Sequence, residues 1–66
     1  MSAKRDEFVC GYAAAIADLF RLEGGSNIRM GELLSTLGGI RAVKGKGVCR
    51  EDMNILRQVA RMESVD

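Results

Sequence analysis

Arg50, Asn54, Arg57 and Arg61 recur at i, i+4, i+7 and i+11, a spacing that lines them up along one side of a helix. Guanidinium and amide groups in such a row donate forked hydrogen bonds, and the guanidiniums add positive charge. Their natural acceptors are carboxylates, phosphates and base edges. Arg41, Lys44 and Lys46 stand just upstream, so the candidate basic surface is Arg41, Lys44, Lys46, Arg50, Asn54, Arg57 and Arg61. Residues 41–61 carry six basic side chains against Glu51 and Asp52, whereas the whole chain is only +1. The positive excess is therefore local, and a feature of one segment rather than of the protein.

Other chemistry is poorly provided for. There is no histidine, and the two cysteines, Cys10 and Cys49, have no base near them in any catalytic spacing. Glu51 and Asp52 are adjacent, so on a helix they diverge instead of forming an acid–base pair. No enzyme, catalytic residue, metal site or cofactor is expected. Lys44-Gly45-Lys46-Gly47 offers amides and charge ahead of a helix, but it lacks the spacing and the Lys-Ser/Thr ending of a phosphate-binding P-loop. Arg21 to Glu32 resembles the skeleton of an EF-hand calcium loop, with Ile28 at the eighth position and Glu32 at the twelfth. Arg21 stands where the first carboxylate belongs and Gly25 offers no ligand at the fifth, so no calcium is expected. What survives of the likeness is geometry: Ile28 and Val48 are expected in extended backbone before a helix, pairing with one another.

The elements that must carry the basic row follow from periodicity. Met53, Leu56, Val59, Ala60 and Met62 form an apolar stripe on the helix that bears the arginines, predicted to span Cys49 to Met62. Cys49 is its expected N-cap, with Val48 stapled against Met53 and Asp52 in the first turn. A first helix is predicted from about Lys4 to Leu22, with Phe8, Tyr12, Ile16 and Phe20 every fourth residue and Val9, Ala13 and Leu19 beside them. Gly11, Ala14, Ala15 and Asp18 make a small-residue strip on its other side, close enough in size to admit a second helix. Gly24-Gly25 ends it. A second, short helix is capped by Ser26, carries Met30, Leu33, Leu34 and Leu37, contains a weakening Gly31, and stops at Gly38-Gly39. Ile40 to Val48 is expected to be a basic glycine loop or extended stretch, and Glu63 to Asp66 to fray.

The fold expected is all-α, a small three-helix bundle making one domain over residues 1–66, with a basic Gly-rich loop between helices two and three. A chain of 66 residues with 47% hydrophobic content and no staple barely offsets its chain entropy alone. A second copy or another protein is therefore expected to complete it, through an apolar face of Phe8, Tyr12, Ile16, Leu19 and Phe20. No signal peptide and no apolar run of membrane length is seen, so the expected setting is cytoplasmic, with no membrane contact and with free, buried thiols. The functional expectation is a non-enzymatic regulator, an inhibitor or adaptor of the kind that mobile elements such as phages encode. It would bind a protein partner and form a homodimer. The alternative is a DNA- or RNA-binding regulator using the basic loop and helix three in a helix-turn-helix-like arrangement, with Gln58 beside Asn54. A pI near 7.8 and a connector longer than a usual tight turn count against that alternative.

Overall fold

In the computed structural model, described here for residues 5–65, four helices follow one another: α1 (Glu7–Glu23), α2 (Ile28–Leu37), α3 (Gly39–Val43) and α4 (Arg50–Met62). The described residues fold into helices joined by turns, as the periodicity predicts, but with one helix more than expected. α1 and α4 pack together, α2 lies against both, and α3 fills the corner between α2 and α4.

Local chemistry sets the ends. Asp6 caps α1 by accepting the Val9 N–H at 3.1 Å, so the helix starts at Glu7. The predicted start at Lys4 lies outside the described residues. Gly24 turns left-handed at φ 76° and Gly25 donates to the Phe20 carbonyl at 3.0 Å, a bond that satisfies an orphan carbonyl at the helix end. α2 is capped by Asn27, whose Oδ1 accepts the Met30 N–H at 3.0 Å. Ser26, the expected cap, sits one residue too early and donates its hydroxyl to Glu63 Oε2 at 2.7 Å instead. Ile28 is therefore the first residue of α2, exposed, and pairs with nothing in extended backbone.

Residues 40–48 depart most from expectation. The glycines bracket Ile40 to Val43 rather than interrupting it, and Val43 is 1% exposed. Burying Val43, with Ile40 packed one turn before it, holds this five-residue stretch helical against weak propensity. Lys44 to Gly47 then turns through left-handed glycines at Gly45 and Gly47. It is not a free loop: the Lys46 carbonyl accepts the Asp6 N–H at 2.8 Å and the Cys10 thiol at 3.4 Å. A Cβ on Gly47 would lie 3.1 Å from Arg5 Cα, so the turn sits directly on the start of α1.

Cys49 occupies the N-cap of α4 without a side-chain bond, and Val48 and Met53 both join the core as a staple would place them. Residues 63–65 close α4 where the sequence predicts fraying, and Asp66 lies outside the described residues. Ser64 takes φ 58° and the Val65 N–H donates to the Ala60 carbonyl at 2.8 Å, closing the helix while Val65 packs on the core. Ile16, Met30, Leu34, Val43, Leu56 and Val59 are the largest fully buried side chains, so every helix contributes to one core. No helix among the described residues is long and apolar enough to cross a membrane.

Candidate interaction surfaces

α4 has a hydrophobic side that faces α1 and α2 through Met53, Leu56 and Val59, with Ile55 and Ala60 at its margins. Met62, expected in this stripe, is 69% exposed. At 100° per residue, Arg57, Arg50, Arg61 and Asn54 fall within an arc of about 60°, and the row extends about 16 Å along the helix. All four are exposed, as is Gln58 beside them. None of the three arginines pairs with a carboxylate among the described residues. Asp52 has its carboxylate turned inward to Arg21 at 3.6 Å, with its side chain only 16% exposed. Helix spacing itself sets Asp52 about 200° from Arg50, away from the arginine row, and Glu51 is the exposed acid of α4. The depression between Asn54, Arg57, Gln58, Arg61 and Met62 is lined by this one helix alone, so it is space between long side chains and not a binding cavity.

The remaining basic candidates are exposed but differently held. Lys44 and Lys46 project from the turn that is bonded to α1, and Arg41 projects from α3. The basic candidates thus divide between the outer face of α4 and the upstream α3 and turn. α2 and α4 are separated by residues 38–49, which include α3, so the pair lacks the tight turn of a helix-turn-helix unit.

The predicted apolar face of α1 divides. Ile16 is fully buried and belongs to the core; Phe20 lies half-buried against it. The reason is the small side chains Cys10, Ala13 and Ala17, which are buried and turn the core-facing side of α1 toward themselves. Phe8 is left 72% exposed, stacked at a tilt on Tyr12 with ring centroids 5.8 Å apart, while Tyr12 and Leu19 are half-buried. Leu22, not singled out from the sequence, is 83% exposed. The strip Gly11, Ala14, Ala15 borders this outer side, and an added Cβ at Gly11 would meet nothing within 4 Å.

Cys10 is buried and Cys49 is exposed, both free, so only one of the two thiols expected to be buried is so. The stretch from Arg21 to Glu32 is the end of α1, a turn over residues 24–27 and the start of α2, which is not the shape of a twelve-residue calcium loop. Glu23 and Glu32 are exposed on separate helices, and no group of three potential metal ligands occurs among the described residues. Comparison of this chain with protein-family models, with curated proteins and with solved structures gives no match.

Proposed function

We propose that this protein is a non-enzymatic regulator that binds another protein through the outer face of α4, covering an acidic surface as an inhibitor or adaptor does. The observation that carries the reading is the row Arg50, Arg57, Arg61: three exposed guanidiniums in one arc without a carboxylate partner among the described residues. Such groups are weakly hydrated and present planar forks that match carboxylates. A convex ridge on one helix suits a macromolecular surface better than a small molecule, which needs a concave site. A second reading, nucleic-acid binding, is favoured by Asn54 and Gln58, exposed among the arginines, since these amides are the side chains that pair with adenine edges.

Fluorescence anisotropy separates the two. The labelled chain is titrated with a glutamate-rich peptide, a random-sequence DNA duplex and single-stranded RNA, at about 50 and about 200 mM salt. The expected result is peptide binding that weakens several-fold in Arg57→Ala, with no association to either nucleic acid even at the lower salt. Nucleic-acid binding that collapses by about 10³-fold or more between the two salts would install the second reading. No binding to any of the three would remove the basic face of α4 as a recognition surface.

A further inference from the structure

The outer side of α1 carries a row of its own. Phe8, Tyr12, Ala15, Leu19 and Leu22 are spaced four, three, four and three residues apart, the spacing at which one helix packs along another. At 100° per residue they occupy an arc of about 80°, on the side of α1 turned away from Cys10, Ala13 and Ala17. Phe8 and Leu22, the ends of the row, are 72% and 83% exposed. Ile28 and Leu33 on α2 and Met62 on α4 are exposed as well, but among the described residues it is on α1 that two exposed large apolar side chains end a continuous row, and such a row marks a contact surface.

We propose that this row is the contact between two copies of the chain, with their α1 helices packed antiparallel about a twofold axis at Ala15. The row reads the same from both ends: two large residues, one small, two large. A twofold axis at Ala15 sets Phe8 of each copy against Leu22 of the other and brings Tyr12 near Leu19, while the two alanines and the neighbouring Gly11 let the backbones approach. This self-complementarity is the defining property of a closed two-copy contact.

Opposed helix dipoles favour the antiparallel arrangement. A twofold axis at Ala15 sets Glu23 at the level of the opposite copy's Glu7, within a turn of Arg5, which is exposed and pairs with its own Glu7 at 3.4 Å. The row spans about 21 Å, and a standard interface takes about 800 Å² per partner, roughly a sixth of the 4566 Å² surface. A single-helix contact falls below that standard, which makes the dimer weak and dependent on concentration. This surface is separate from the arginine row of α4, so either proposal can fail without the other.

Sedimentation equilibrium of the full chain from about 1 to about 500 μM tests it, a range that covers weak association. The weight-average mass is expected to rise from 7.2 kDa toward twice that value. Leu22→Glu is expected to stay at the monomer mass with an unchanged helical signal, and Ile28→Glu, at an equally exposed site on α2, to dimerise like the parent. Orientation is read by copper-phenanthroline oxidation in a Cys49→Ser background: Ala15→Cys is expected to form a covalent dimer and Phe8→Cys is not. A monomer mass at every concentration would overturn the proposal. So would a dimer that survives Leu22→Glu, and self-crosslinking of Phe8→Cys would overturn the antiparallel arrangement.

Discussion

A Cβ placed on Gly31 would lie 2.7 Å from the Cβ of Glu63 and 3.5 Å from Val65. From sequence this glycine reads only as a weak point in α2, because its neighbour lies 32 positions downstream. In the fold it is buried and lets the closing turn of α4 seat on α2. Gly31→Ala pits two effects against each other. The alanine gains about 1 kcal/mol of helix propensity. The overlap costs about 1–3 kcal/mol, and Glu63 cannot swing aside because its Cβ moves only with a backbone closed by the Val65–Ala60 bond. Net loss is expected, lowering the thermal midpoint by several degrees, about 4–8 °C per kcal/mol for a chain of this size. A raised midpoint in a thermal melt followed by circular dichroism would show that this close approach does not constrain the native state.

Whether an element could be read in advance depended on how many turns of evidence it supplied. α2 and α4 are long enough for apolar spacing to repeat, and most of each predicted stripe faces the core, Met30 and Leu34 in one and Met53, Leu56 and Val59 in the other, while Leu33 and Met62, predicted with them, are exposed. α3 has only five residues, less than two turns, so its one informative pair, Ile40 and Val43, could not be told from a loop. α1 misled for a different reason. Val9, Ala13 and Ile16 of its predicted face are buried, but the spacing of four draws the eye to Phe8, while Cys10 and Ala17, buried too, have small side chains that give little hydrophobic signal. The basic face of α4 was legible because exposure there follows directly from the buried stripe. The pairing of Asp52 with Arg21 was not, since it depends on where Arg21 of α1 ends up. At this scale the caps are the testable feature. Asn27→Ala removes the acceptor for the Met30 N–H and is expected to cost about 1 kcal/mol in urea unfolding, with the slope unchanged. Ser26→Ala breaks a different contact, the bond to Glu63, so a double mutant with Asn27→Ala should show whether cap and tail act independently.

Among the described residues eleven buried hydrophobic side chains form the core, and the four helices share them. A core this small supplies about 3–5 kcal/mol of net stability. Leu56→Ala, at a fully buried position, is expected to remove about 2–5 kcal/mol and so most of the cooperative unfolding transition. Phe8→Ala, at 72% exposure, is expected to leave the dilute monomer's transition within about 0.5 kcal/mol of the parent. Equal losses at the two sites would contradict the division of α1 into an inner and an outer side.

The two thiols stand on opposite sides of that division between inside and outside. Cys49 meets solvent at the head of α4, while Cys10 is covered and donates to the Lys46 carbonyl that also ties the turn to the start of α1. A small alkylating reagent therefore encounters two clocks in one chain. The first adduct forms at the rate of bare chemistry; the second waits until the Lys44–Gly47 turn lifts from α1. Intact mass read against time, one adduct and then two, makes the unaltered protein a reporter of how often that clasp opens.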